Sequence, residues 1–303
     1  MGHHYIPRWH LAKFQDPGRP GRIWQHDKRG GAPKLAAILN VAQARNFYPE
    51  SVETRLANEV EAPGNQAIAK LLDSRQLDEA ERVDVARYVA AMIKRVPRQR
   101  RWADETYPEI LDQVIGDARG RLRQAAAEGV GDPDLIAGRI AEFDRLHAKY
   151  SRERPPDLVE RIYDPMPTEK VLRALGEMTW RVLSIADGPL CFVTTDNPAF
   201  WFREQGFGLG IDEAEISFPL SSRRVLHGSY QRARSKLSFV VARPVFVREI
   251  NRRLISDAER FVFYHRPAPW IDQILAKKSH HLRRIGWGGP IVRADPAESW
   301  PFG

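Results

Sequence analysis

A chain of 303 residues with 43% hydrophobic and 28% charged side chains has the composition of a folded globular protein, which excludes a disordered or fibrous one. No apolar run approaches the roughly 20 residues of a membrane-spanning helix, and the first residues lack the apolar core of a secretory signal; no membrane partner and a cytoplasmic location are therefore expected. The formal net charge of +8 favours a polyanion, with nucleic acid a candidate partner, if the basic clusters share a face, through phosphate contact and counterion release; a solvated basic surface explains the same charge without a ligand.

The first fourteen residues pack His3, His4 and His10 with Arg8 and several aromatic rings into a stretch that in most chains is polar and frayed. Such a segment is expected to be bound into the fold. Gly18-Arg19-Pro20-Gly21 marks a turn, Arg22 to Asp27 alternates as a half-buried strand does, and Arg29 to Pro33 closes it, so a short hairpin is expected.

From Pro49 the period changes. Val52, Leu56 and Val60 recur at helical spacing, with a halt expected near Pro63-Gly64 and a resumption through Ile68 and Leu71. Asp78 to Lys94 is a further helix that Pro97 should end or bend, and Tyr107 to Ala127 and Pro133 to Tyr150 follow. Ser151 to Pro156 reads as a linker, and Thr168 to Ala186 as one more helix with Leu172, Leu175, Met178, Val182 and Ile185 on one face.

The remainder is strand-rich: Leu190 to Thr194, Ala214 to Leu220, Arg224 to His227, Leu237 to Val241 and Phe261 to Tyr264, interrupted by a helix from about Pro244 to Asp257. Only the tail after Gly286 looks loosely structured. The class is α+β, a helical N-terminal half packed on a strand-rich C-terminal half with a mixed or antiparallel sheet. One domain over 1–303 is expected, helical over about 50–150 and strand-rich over about 165–285.

Cys191 has no second cysteine to pair with and sits in an apolar stretch, which makes it a small core residue. Basic side chains cluster in Lys94 to Arg101, Arg223-Arg224, Arg232 to Lys236, and Lys277-Lys278 with Arg283-Arg284.

Four stretches together resemble an uncharacterised family, domain of unknown function 4238. They are His3 to Phe14; Asn46-Phe47-Tyr48 followed by Glu53 and Val60-Glu61; Arg95 to Arg100; and Phe192 to Pro198, with Phe218-Pro219-Leu220-Ser221 and Asn251 in support. Thr195 stands where serine is more usual in the family and keeps the hydroxyl. The resemblance implies one shared architecture over nearly the whole chain and transfers no catalytic residue.

Read as chemistry, Thr194 to Pro198 puts Asp196 and Asn197 at the end of an apolar strand, where a carboxylate can hold a metal or orient a water. The competing reading is an Asx turn. His4 could ligate a metal or transfer a proton, or serve as a packing residue or the remnant of a tag. Glu53 and Glu61 lie within roughly 80° of each other on an unbroken helix. Arg95, Arg98 and Arg100 at a helix end suit phosphate recognition, with Arg8 in the same role, or ion pairing to Glu53 or Glu61.

No phosphate-binding loop, dinucleotide fingerprint, zinc-protease helix or serine elbow occurs. Two principal functions are expected. One is a metal-dependent, nuclease-like phosphodiester hydrolase with His4, Glu61, Asp196 and Asn197 as catalytic residues, the first three holding Mg²⁺ or Mn²⁺. The other is a non-catalytic nucleic-acid or protein-binding module of a defence or toxin-like locus; a small-ligand sensor is a third, narrower option.

Overall fold

The computed structural model describes residues 2–45, 47–154, 164–186, 188–202, 214–231, 235–277, 282 and 285. Asn46, Pro155 and Pro156, Arg232 to Arg234, Lys278, Arg283, Arg284 and the tail after Gly286 lie outside them.

The elements in chain order are β1 (Gly2–His4), α1 (Arg8–Ala12), β2 (Arg22–Asp27), β3 (Lys34–Ala37), β4 (Gln43–Arg45), α2 (Glu50–Arg55), a π-helical turn (Leu56–Glu61) and α3 (Ala62–Leu72). There follow α4 (Glu79–Lys94), α5 (Pro97–Ala127), α6 (Pro133–Tyr150) and α7 (Glu169–Glu177). The rest is β5 (Thr179–Ser184), β6 (Thr194–Thr195), β7 (Phe200–Phe202), β8 (Glu215–Ser221), β9 (Arg224–Ser229), β10 (Leu237–Val241), α8 (Pro244–Asp257), β11 (Phe261–Tyr264) and α9 (Pro269–Leu275). The fold is α+β, with helices mostly in the N-terminal half and mixed and antiparallel sheets fed mainly by the C-terminal half.

The chain divides into two compact units, one of residues 1–98 and 165 onward, the other of Gln99–Asp164. In the first, a five-stranded sheet runs β10-β5-β9-β8-β7, parallel only between β10 and β5. One face, with Trp180, Val182, Ile216, Phe218 and Leu226, joins the core built with α3 and α4. On the other face Leu183, Val225 and Phe200 pack against Val247, Ile250 and Leu254 of α8. Cover on both faces is why β5, β8 and β9 are buried along nearly their whole length. A second sheet runs β3-β2-β11-β6 and stitches the expected hairpin to the later chain, with Trp24 opposite Tyr264.

α4 starts on a capping box: the Asp78 carboxylate accepts from Glu81 N at 2.9 Å, and the Asp78 N–H donates to Glu81 Oε2 at 3.1 Å. α3 lies against it through Gly64, where a Cβ would come within 2.7 Å of Tyr88 Cβ.

Four expectations need correction. The expected strand Leu190 to Thr194 shrinks to Thr194–Thr195, and Leu190 to Val193 belong to no strand. Pro63 does not halt the helix: the chain stays in right-handed helical conformation through Glu61 and Ala62, and the π-helical turn that ends just before Pro63 carries it past the missing N–H into α3. Pro97 opens α5 instead of merely closing α4, so α5 begins ten residues before Tyr107. The expected helix Thr168 to Ala186 is α7 followed at once by β5; Thr179 to Leu183 is β-branched and aromatic enough to pair with β9 and β10.

The second unit holds most of α5 and α6, which run antiparallel. Asp104, Asp112 and Arg119 pair with Arg154, His147 and Asp144 in reverse order, and Tyr107 donates to the Tyr150 carbonyl at 3.2 Å. No helix among the described residues is long and apolar enough to cross a membrane.

Candidate functional site

The N-terminal segment is held from both sides. β1 pairs with β4, so that His3 lies opposite Ala44 and His4 opposite Gln43, and Tyr5, Ile6, Leu11 and Phe14 are buried in the core. His10 is sealed among Trp9, Phe14, Tyr88 and Phe218, with ring centroids 5.2 to 5.9 Å away. Neither of its ring nitrogens has a hydrogen-bond partner, and burial pushes its pKa down to about 3. It is a neutral core residue.

Arg95, 1% exposed, is the first knot. Its Nη1 donates to Glu61 Oε1 and its Nη2 to the His4 carbonyl, each at 2.5 Å. Thus His4 meets Arg95 through its main chain, while its imidazole lies by Ile38 and Leu39. Burial lowers the pKa of that ring, and the nearby positive charges of Arg8 and Arg95 act in the same direction. Arg8 itself is exposed.

The π-helical turn between Glu53 and Glu61 widens the helix and swings Glu61 back towards Glu53, so both carboxylates share the field of Arg95. Burial raises the Glu53 pKa, Arg95 and His3 pull it down, and Glu61 pushes it up. Glu53 Oε1 lies 3.8 Å from His3 Nδ1, which accepts the Tyr48 N–H at 3.3 Å.

Asp196 and Asn197 form the second knot. Asp196 Oδ1 accepts from Glu259 N at 2.9 Å, and Oδ2 accepts from Arg260 N and Phe261 N at 2.7 and 2.8 Å. The carboxylate thus caps a turn more than sixty residues away instead of closing a local Asx turn. Thr195 supplies the local turn: its hydroxyl accepts from Asn197 N at 3.1 Å and donates to Asn197 O at 2.6 Å. Asn197 Nδ2 donates to Asp257 Oδ2 at 2.6 Å, and Arg98 closes on the other oxygen of Asp257. Burial pushes Asp196 and Asp257 up to about 6 against those donors.

The knots are neighbours through the backbone. His4 and Tyr5 are consecutive, and the Tyr5 hydroxyl feels the charges of Asp196, Glu259 and Arg260. Arg95 and Arg98 flank the joint between α4 and α5. The structure therefore joins His4, Glu61 and Arg95 in one knot and Asp196, Asn197 and Arg98 in the next, with Arg8 beside His4. Arg100 belongs to the unit of residues 99–164. Among the described residues, no group of three His, Cys, Asp or Glu side chains is gathered to hold a metal ion.

Sequence reasoning missed two sets of residues. Lys28 donates to the carbonyls of Ile255 and Ala258 at the end of α8, and Asp257 anchors Arg98 and Asn197. Across the five-stranded sheet a buried polar row places Arg181 opposite His227 and His227 opposite Ser217, with Ser229 opposite Glu215 one step along. Arg253 from α8 closes on Glu215 at 2.8 Å. Burial opposes ionisation of Glu215, but Arg253 and His227 outweigh it and hold its pKa below the usual range, while burial pushes His227 down to about 4. The sequence signal was present: charged residues at alternate positions inside otherwise apolar strands.

The family described as Protein of unknown function (DUF4238) matches residues 2–268. The chain belongs to this family. No curated protein and no solved structure gives a significant match. All the stretches that carried the resemblance fall inside the matched DUF4238 region, and their described residues fasten distant segments. Asn251 accepts from Val193 N at 3.1 Å and donates to Cys191 O at 2.7 Å, tying α8 to the chain before β6. Phe218 closes the cage around His10. Cys191 is buried, as expected of a core residue, and burial pushes its thiol up to about 11.

Proposed function

We propose that this DUF4238 protein is a non-catalytic module that binds a polyanion, with nucleic acid as the ligand class. The observation that carries the reading is a division of labour among its cations. Arg95 and Arg98, in the motif, are engaged with Glu61 and Asp257 inside the fold, whereas Arg8, Arg19, Arg22, Arg29 and Lys34 are exposed. Residues 1–34 hold seven Lys and Arg against two Asp. Asp27 is ion-paired with Arg260, and Asp16, which accepts from Trp24 and Gly18, keeps its charge, so the positive side chains outnumber the negative ones seven to two. An excess of positive charge on a fixed scaffold attracts phosphate backbones without reading sequence. A cytoplasmic location, where such ligands occur, is part of the proposal.

A second reading, a phosphodiester hydrolase, is favoured by one feature. Glu53, its pKa raised by burial, stands beside Glu61 and His3 as a group able to exchange protons. Mg²⁺ or Mn²⁺ with His4, Glu61 and Asp196 belongs to that reading. Incubation with labelled single- and double-stranded DNA and RNA, with Mg²⁺, Mn²⁺ or EDTA, separates the two. Retention of intact nucleic acid under every condition supports the binding module. Cleavage that Glu53→Gln abolishes without loss of fold supports the hydrolase and overturns the module.

A further inference from the structure

Away from both knots, an open cleft of about 670 Å³ lies between the chain leaving β5, the turn before β9 and the chain leaving β11. Arg223 and Arg266 line it, with Gly188, Pro189, Pro267 and Pro269 as much of the wall. We propose that this cleft binds the phosphate group of a nucleotide unit, clamped between Arg223 and Arg266. The ligand class rests on the polyanion reading above; the site does not.

The two guanidinium groups are oriented from one loop. Arg223 Nη1 donates to the carbonyls of Ala186 and Leu190 at 3.0 and 3.1 Å, and Arg266 Nη2 donates to the carbonyl of Gly188. A carbonyl fixes the direction of a guanidinium. Both arginines project a positive field into their surroundings. Burial is the main cause of the low pKa of His265, and Arg266 and Arg223 are the next two; the same pair acts against the burial that raises Cys191. His265, next to Arg266 in the chain, is itself buried, with its Nδ1 lacking a hydrogen-bond partner.

Prolines fix φ along the wall, so little of it has to be ordered when a ligand arrives. The volume falls within the several hundred Å³ typical of small-molecule sites and exceeds what one phosphate needs, which points to a nucleotide unit. A planar fork matches phosphate oxygens two at a time, and two guanidinium groups lining one cleft favour phosphate over a single-charged anion.

The test is calorimetric titration of the full chain with inorganic phosphate, with adenosine monophosphate and with a short oligonucleotide. Wild type is compared with Arg266→Glu, Arg266→Lys and the double variant Arg19→Glu with Arg22→Glu, each verified as folded by its thermal melt. Arg266→Glu is expected to weaken monophosphate binding by at least about tenfold and Arg266→Lys by less, since the lysine keeps the charge and loses the fork. The Arg19/Arg22 variant is expected to weaken the oligonucleotide alone. Should Arg266→Glu fail to fold, the Arg266→Lys comparison decides. Unchanged monophosphate affinity in the folded Arg266 variants, or none in wild type, overturns the cleft even if oligonucleotide binding persists. Monophosphate binding that depends on Arg266 without any oligonucleotide binding upholds the cleft and sinks the polyanion reading.

Discussion

Arg95 donates to Glu61 across 34 residues of sequence at 2.5 Å, from a position where only 1% of its surface is exposed. The pair also takes in the His4 carbonyl, so a single side chain ties the N-terminal strand, the π-helical turn and the end of α4. A buried cation in such a place is tolerated only while it is paired.

Arg95→Ala leaves Glu61 and the His4 carbonyl without their donor and should destabilise the fold by roughly 3–5 kcal/mol. Arg95→Lys should fall short of rescue, because one ammonium cannot reproduce the two directions of the fork. Urea unfolding midpoints of the three proteins check this; an alanine variant within about 1 kcal/mol of wild type would show that Arg95 does not hold these segments together.

Gly64→Ala tests the close approach of α3 and α4. The added Cβ would meet Tyr88 Cβ at 2.7 Å, an overlap that should cost about 1–3 kcal/mol despite the better helix propensity of alanine. Thermal melts read it directly, and a stabilised variant would contradict the packing.

His10→Phe probes the aromatic cage and carries a pH signature. In the folded protein His10 titrates at about 3 instead of 6.5. Between those values the unfolded chain binds the proton and the folded one does not. Stability from this group is therefore complete above about pH 6.5 and falls as the pH drops towards 3. The phenylalanine variant removes an unpartnered polar group and should match or exceed wild type at pH 7. Its stability should also decline less on acidification, as denaturant melts between pH 4 and 7 would record. Parallel pH curves for the two proteins would contradict the buried, neutral histidine.

Asp196→Asn distinguishes the cap from a mere space-filler. The amide retains one acceptor oxygen, but its NH₂ group must face either Glu259 N or the pair Arg260 N and Phe261 N, all donors. A loss of about 1–3 kcal/mol is expected, with faster amide exchange at those three positions. Unaltered exchange there would show that the turn holds itself.

Much of the fold was legible because local and tertiary preferences agreed. Asp78 to Lys94 carries a capping box and a helical apolar period, and Leu237 to Val241 and Phe261 to Tyr264 are short, β-rich runs that became strands with those bounds. β5 is ambiguous in the sequence, because Met178, Val182 and Ile185 continue the helical spacing of α7 while Trp180 and Val182 also fit strand alternation; pairing with β9 and β10 decides between the two periods. Pro97 is ambiguous in itself, since it disfavours a continuing helix and favours a starting one. At the site, the motif residues were visible one by one. Their partners were not, because Asp257 meets Asn197 and Arg98 only through tertiary contact, and the row of Arg181, His227 and Ser217 exists only once strand register is fixed.

Binding of a polyanion is tested most directly by the affinity of the full chain for a labelled oligonucleotide as a function of salt. A polyanion-binding module predicts binding whose logarithm falls linearly with the logarithm of salt concentration, by about 0.9 for each duplex phosphate neutralised. The DNA or RNA should be recovered intact. Absence of binding at low salt, or binding indifferent to salt, would contradict it.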